Sequence, residues 1–448
     1  MQQTDSHPIL IIGAGAAGIA AAVELAPHTP VVLAEARPYI GGRARSFADR
    51  DTGEIIDNGQ HVLMGCYSDF LSVLQRLGTR RLLRRQEALR VEFAGADGLR
   101  DTLDCSALPG AAGVAAGILR LRGLNFASKT AALLFAGAMR AGLLRPDGLT
   151  VAEFLRKYRQ PPEVIRRLWE PIVLATLNAA PEHAAAVLLA EVLRRAFFGK
   201  RDASQLLFAA EGLGELFAPA GNYLENRGGR LLTSHSAEEL LVENGRVVAV
   251  KFAGGETLAC RAVIAAVPPK ALARLLPDAL RRSPPFDALN DFRFSPIVSL
   301  YLWFDRPVMR GEFAAMLGTT SQWVFNRRAL AAAPPDVAAR YPGHVAITVS
   351  AGDAIAEQSP ETLALHCAAE TQSAFPEARG ASLLAWKVIK EKSATFLATP
   401  DVEPRRPRPQ TPLPNLFLAG DWTATGLPAT LEGAAQSGLA AARLAMKA

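Results

Sequence analysis

The chain of 448 residues carries 49 Lys or Arg against 43 Asp or Glu and is 50% hydrophobic, which excludes a disordered or fibrous protein and leaves room for two or three packed units. Its four cysteines, Cys66, Cys105, Cys260 and Cys367, lie far apart with neither Cys-x-x-Cys spacing nor a histidine partner pattern, so no structural zinc or disulfide framework is expected and a reduced, cytoplasmic protein is. No uncharged stretch makes a convincing membrane span, and the net charge of +6 comes without the aromatic interleaving of a nucleic-acid binder.

The apolar run Ile9 to Ile12 reads as a buried strand that turns directly into Gly13-Ala14-Gly15-Ala16-Ala17-Gly18 and an Ala-rich helix. That order makes a diphosphate site. Gly13 supplies the tight turn, Gly15 admits a pyrophosphate to the backbone, Gly18 lets helix and strand pack closely, and the helix end offers N–H groups and partial positive charge. No charge falls between His7 and Glu24, yet residues 1–6 hold no Lys or Arg, so a nucleotide-binding turn is expected rather than an export signal. A second strand, Val31 to Leu33, leads to Glu35, whose carboxylate can take the ribose hydroxyls of an adenosine. Then comes a second glycine cluster, Gly41-Gly42-Arg43.

Further along, Ile55 to Leu63 reads as a short strand and a Gly-bearing turn, Asp69 to Leu77 as a helix, and residues 89–104 as a hairpin about Asp97-Gly98. From there to about residue 227 helices are expected to dominate. Thr150 and Glu153 form a capping box, and Pro161-Pro162 starts a helix that carries Arg166, Arg167, Trp169 and Glu170. Between Arg76 and Arg145 there are twelve Lys or Arg and five acids. This basic stretch has two readings, a surface that rests on anionic lipid headgroups and an ordinary solvated arginine-rich face. Strands return at 230–266 with an Asn244-Gly245 hairpin, and again at Ile297 to Phe304 and Val345 to Ser350. Pro404 to Pro414 is a connector, Asn415 to Asp421 a strand with a Gly-Asp turn, and Ala429 to Met446 a small-residue helix. Nucleotide-site elements thus occur at the start, middle and end. Residues 1–85, 225–275 and 411–448 are expected to form one nucleotide domain, with 86–224 and 276–410 as a substrate domain whose helical part is the membrane-facing candidate.

The segment Glu35-Ala36-Arg37-Pro38-Tyr39-Ile40-Gly41-Gly42-Arg43-Ala44-Arg45-Ser46 resembles the signature of flavoproteins of the amine oxidase and phytoene desaturase superfamily. Gly13, Gly15 and Gly18 at the front and Leu418-Ala419-Gly420-Asp421 at the back extend the resemblance over the whole chain. It implies an α/β protein with a Rossmann-like, glutathione-reductase-like FAD-binding domain assembled from discontinuous segments and a mixed α+β substrate domain. It also assigns residues. The first helix, with Ala16, takes the pyrophosphate, and Glu35, beside Ala36, takes the adenosine ribose. Arg37, Gly41, Gly42 and Arg43 lie near ribose and diphosphate, and Gly59 belongs to the loop beside the flavin ring. Gly420 and Asp421 sit by the ribityl chain, and the helix beginning near Thr430 and Leu431 points at the flavin pyrimidine end. Tyr39 stands where a basic residue is common, which leaves the number of diphosphate contacts open.

Within the superfamily, Asp57 to Tyr67, Leu168 to Pro171, Ala175 to Asn178 and Pro428 to Ala434 are similar to hydroxysqualene dehydroxylases of bacterial hopanoid pathways. Unlike amine oxidases, the chain has no lysine in Ser295 to Phe304 and no aromatic residue in Gly426-Leu427-Pro428, and no cysteine is expected near enough to hold FAD covalently. The implied reaction removes the hydroxyl of a C30 isoprenoid alcohol as water and delivers hydride from N5 of reduced FAD, which requires a proton donor in a dry apolar tunnel. His61 is the first candidate donor, with Gln60 and Asp57 beside it; each also has a loop-organising reading. Trp169, Glu170 and Asn178 are candidates to line the tunnel, against readings as core or cap residues. A carotenoid-type desaturase, an amine oxidase and a non-catalytic prenyl-binding escort are the alternatives. Upstream prenyl-coupling enzymes enter as partners only through the resemblance.

Overall fold

The computed structural model describes residues 7–95, 98–200 and 202–448. Five short strands form a parallel sheet in the order Arg230–Leu232, Val31–Ala34, Ile9–Ile12, Ala262–Ala265, Leu416–Leu418. The first, second and fourth strands in the chain order of this sheet are buried on both faces, which is why they read as unbroken apolar runs. The opening helix Ala16–Leu25 and the C-terminal helix Leu431–Ala445 pack together against it. Their approach needs glycine: a Cβ on Gly438 would lie 2.1 Å from the Ala17 carbonyl oxygen, and one on Gly18 would lie 1.8 Å from that of Gly13.

A second, seven-stranded sheet runs Leu383–Phe396, Phe294–Phe304, Gly343–Ser350, Trp323–Asn326, Phe313–Leu317, Arg90–Gly95, Arg100–Asp104. All its pairings are antiparallel except that of Arg90–Gly95 with Phe313–Leu317. The hairpin expected over residues 89–104 is present, with Asp97 itself outside the described residues. Asn244 and Gly245 both take positive φ, as a tight hairpin turn requires, between Ala237–Glu243 and Arg246–Phe252.

Helices Gly110–Arg120, Phe126–Arg140, Val151–Lys157, Glu170–Leu177 and Ala186–Phe197 gather into one unit. The Thr150–Glu153 capping box forms as expected. The helix begun at Pro162 is interrupted by a π turn over Ile165–Trp169, in which the Glu170 N–H bonds to the Ile165 carbonyl. Pro171 has no N–H to offer the Arg167 carbonyl, so the regular ladder cannot continue there. Helices do not fill the chain to residue 227: Leu206–Ala209 is a buried strand that pairs antiparallel with Leu63–Met64 and with Leu83–Arg85. Its four apolar residues carry no periodicity that separates strand from helix, and the pairing decides the matter.

Candidate active site

The nucleotide cradle is made mainly of backbone. Gly13, at φ +100°, donates its N–H to the Ala34 carbonyl at 2.7 Å, which turns the chain out of the first strand. Gly15 is the N-cap of the opening helix and forms a parallel bridge with Gly41, while the Gly41 N–H bonds the Ala14 carbonyl at 2.8 Å. A Cβ on Gly42 would stand 3.2 Å from Gly15 Cα, so the two glycine clusters touch. A Cβ on Gly15 would meet no atom within 4 Å, and the helix N-terminus is therefore open on that side. Glu35 is buried, its Oε2 accepting from the Ala14 N–H at 2.8 Å and its Oε1 from the Arg37 N–H at 3.0 Å. Ala36 and Arg37 are exposed beside it. Arg37 donates to the Tyr39 hydroxyl and Arg45 lies over the Tyr39 ring at 4.7 Å, so Tyr39 organises two arginines.

At the other end, Arg43 reaches Asp421 Oδ2 at 2.7 Å and the Ala394 carbonyl, joining the second glycine cluster to the Gly420-Asp421 turn. Gly420 has φ +144°, and a Cβ there would strike the Trp422 indole at 2.5 Å. Arg406, which sequence reasoning missed, is buried beneath this turn. Its guanidinium donates to the carbonyls of Asp421 at 2.9 Å and Leu427 at 2.8 Å, and to Thr425 Oγ1 at 2.9 Å, with Glu403 as its ion-pair partner. Thr430 caps the C-terminal helix by accepting from the Gly433 N–H at 3.1 Å. The open N-terminus at Gly15, the ordered carboxylate of Glu35 and the Arg43–Asp421 bridge fit the diphosphate, ribose and ribityl parts of FAD.

His61 Nδ1 contacts the Gly59 carbonyl at 2.9 Å, an atom that only accepts, so Nδ1 carries a hydrogen and donates to it, the loop-organising contact that the sequence also offered for this residue. Burial lowers its pKa despite the Gly59 bond and the charge of Asp57. Gln60 accepts from Arg327 Nη1 at 3.1 Å. Asp57 is 1% exposed; its Oδ1 accepts from Ser46 Oγ at 2.6 Å and the Leu213 N–H at 2.9 Å, and Arg327 lies 3.8 Å from Oδ2. These bonds leave Asp57 holding loops together.

Below this loop lies a buried ionic cluster with no local signal in the sequence. Glu54 accepts from Arg328 at 2.7 and 3.1 Å, from Trp303 Nε1 at 2.8 Å and from His344 Nδ1 at 2.9 Å. Burial would raise its carboxyl, but the hydrogen bonds from His344, Arg328 and Trp303 outweigh that and hold it well below the carboxylate range. Burial pushes His344 down to about 4, and its ring stacks on Trp303 with centroids 4.5 Å apart.

Of the two readings held for the tunnel candidates, the contacts of Trp169 and Asn178 are those of core and cap residues. Trp169 is a core residue: its Nε1 donates to Gln160 at 2.9 Å and its ring packs on Phe135. Asn178, at φ +47°, caps its helix; its Nδ2 donates to Thr395 Oγ1 at 2.9 Å and the Ser295 carbonyl at 3.2 Å, and its Oδ1 accepts from the Ala351 N–H at 2.8 Å. Glu170 is half-buried, its carboxyl raised by burial and by Glu182. None of the three lines the cavity next to the C-terminal helix, whose walls include Met64, Tyr67, Thr176, Val192, Pro428 and Thr430. Cys66 also borders it; burial pushes its thiol up to about 11, leaving it a poor nucleophile.

The basic stretch divides. Arg84 pairs with Glu312 and Arg85 with Asp202, as on an ordinary solvated face. Residues 105–146 hold five basic residues, Arg120, Arg122, Lys129, Arg140 and Arg145, and no acid. On the same two helices and their flanks Leu108, Leu119, Phe126, Leu134 and Leu143 are exposed, Phe126 by 80%. Among the described residues no helix is long and apolar enough to cross a membrane.

A family model described as flavin containing amine oxidoreductase matches residues 16–446. The chain is similar to a hydroxysqualene dehydroxylase of Sinorhizobium fredii, 32% identical over 97% of both chains, and to one of Rhodopseudomonas palustris, 32% identical over 99% of both. It is 28% identical to a zeta-carotene desaturase of Synechocystis, over 97% of this chain and 96% of that one. Cyclohexylamine oxidase from Brevibacterium oxydans shares the fold, with a TM-score of 0.72 over 99% of both chains at 16% identity.

Proposed function

We propose, from the premise that the chain belongs to the flavin-containing amine oxidoreductases and within them to the hydroxysqualene dehydroxylases, that it replaces the hydroxyl of hydroxysqualene with hydride to give squalene. The cofactor is FAD, which in its reduced form supplies the hydride from N5. Gly13, Gly15, Ala16 and Gly18 would hold its pyrophosphate, Glu35, Ala36 and Arg37 its adenosine ribose, and Gly41, Gly42 and Arg43 the neighbouring phosphate edge. Gly59 would border the flavin ring, Gly420 and Asp421 the ribityl chain, and the helix N-terminus at Thr430 and Leu431 would favour negative charge at the pyrimidine end. Residues 1–85, 225–275 and 411–448 make up the unit that carries these groups, and binding is non-covalent. In this reading His61 donates through Nδ1 to the Gly59 carbonyl and so holds the loop beside the flavin.

The observation that carries the reading is the cavity. It is lined chiefly by apolar side chains, opens at the capped end of the C-terminal helix, and among the described residues offers no free carboxylate for a protonated amine: Glu432 accepts from Ser68 and the N–H groups of Asp69 and Phe70, and Arg195 pairs with Glu191. That suits a hydrocarbon alcohol better than a polyamine. The test is anaerobic incubation of dithionite-reduced holoenzyme with hydroxysqualene. Squalene formed mole for mole with flavin reoxidation supports it; no product, with desaturation of another polyprenoid by the oxidised protein, supports the desaturase alternative.

The basic residues of 105–146, a stretch that holds no acid, and its exposed apolar side chains support a peripheral seat on an anionic bilayer, on the inner face of the cytoplasmic membrane. Both helices contact Ala186–Phe197, which walls the cavity, so this seat brings the cavity close to the lipid that dissolves a C30 substrate. Prenyl-coupling enzymes are the corresponding upstream partners.

A further inference from the structure

Tyr67 is the N-cap of helix Ser68–Leu77 and lines the cavity together with Met64, Thr176, Val192 and Pro428. The polar groups around it are already engaged. Thr176 Oγ1 donates to the Ile172 carbonyl at 2.7 Å, and Thr430 Oγ1 accepts from the Gly433 N–H while donating to the Pro428 carbonyl. Glu432 accepts from Ser68 Oγ at 3.3 Å and from the N–H groups of Asp69 at 3.2 Å and Phe70 at 2.9 Å. Arg195 donates to Glu191 at 2.6 Å. The Tyr67 hydroxyl, by contrast, has no hydrogen-bond partner among the described residues, whereas the Tyr301 hydroxyl is bonded to Asp57 and that of Tyr158 accepts from Arg145. Burial, with Cys66 and Glu432 adding to it, pushes the phenol pKa up, so the group stays protonated and able to donate.

An unpartnered donor open to an apolar cavity is free to bond a ligand there, and a site that bonds a substrate hydroxyl discriminates against the analogue that lacks one. We propose that the Tyr67 phenol donates a hydrogen bond to the hydroxyl of the substrate, orienting the carbon that bears it and selecting the alcohol over the hydrocarbon. Tyr67 is then a specificity-determining residue. The inference rests on the reading of an isoprenoid alcohol as substrate.

The test compares binding of hydroxysqualene and squalene to oxidised holoenzyme, read from perturbation of the flavin spectrum, in wild type and Y67F. Flavin content and Tm report that the variant is intact, and Y67M serves if Y67F loses FAD. We expect hydroxysqualene to bind about tenfold more weakly to the variant while squalene binds as before, so the preference collapses. Turnover by wild type together with an unchanged preference in Y67F and Y67M overturns the role of Tyr67 alone. Equal binding of the two lipids by a wild type that makes no squalene overturns the substrate reading as well.

Discussion

Around the nucleotide cradle the groups that matter come from one stretch, Gly13 to Arg43, and most are backbone atoms whose placement glycine permits. Under the loop of Gly59 and His61 the arrangement is reversed: Glu54 is held by Trp303, Arg328 and His344, which lie 249, 274 and 290 residues away along the chain. The first region is set by local sterics and the second by long-range pairing of side chains in a buried medium. They should therefore fail differently.

The largest effect is expected where sterics leave no choice. A side chain at Gly18 meets the Gly13 carbonyl at 1.8 Å, so Gly18→Val should yield protein without flavin absorbance and cost at least about 3 kcal/mol of stability. A yellow, stable variant would break the comparison on its local side.

Next comes Glu54→Gln, which keeps the shape but leaves the Arg328 charge without its partner; chemical denaturation should show a loss of about 3–5 kcal/mol. The exposed Arg443–Glu24 pair serves as the control, where Arg443→Ala should cost less than about 1 kcal/mol.

Acid sharpens the same contrast. His344 is neutral when folded and its pKa falls from 6.5 to about 4, so between those values the unfolded chain binds the extra proton. Stability is then full above pH 6.5 and declines as pH drops, by up to about 1.4 kcal/mol per unit from this group. Below the ordinary carboxylate range Glu54, whose pKa is depressed, adds to the loss. A His344→Phe variant that keeps the full slope between pH 6.5 and 4 would remove this cause.

The smallest effect belongs to the surface. Phe126→Glu should weaken binding to anionic vesicles about tenfold, whereas Arg80→Glu, on the half of the basic stretch that pairs with acids, should change it little. Equal losses would return the whole stretch to general electrostatics.

What could be read from the sequence follows the same division. The glycine clusters, Glu35, the parallel strands and the capped helices were legible because each depends on neighbours within one turn or one strand. Asp57, Gln60 and His61 were found as a group but not their states, which depend on Arg327, Ser46 and the Gly59 carbonyl folding onto them. Trp169 and Asn178 drew notice through the segments Leu168 to Pro171 and Ala175 to Asn178 that carry the family resemblance, which does not separate a tunnel wall from a core clasp. Glu54, Arg406 and the open hydroxyl of Tyr67 had no local pattern to announce them.

The central claim is reductive removal of the hydroxyl, and a single turnover in D2O tests it most directly. The N5 hydrogen of reduced flavin exchanges with solvent, so holoenzyme reduced anaerobically in D2O and mixed with hydroxysqualene should give squalene bearing one deuterium at the former carbinol carbon, with flavin reoxidation in step. Unlabelled squalene, or a dehydrated polyene formed while the flavin stays reduced, would contradict it.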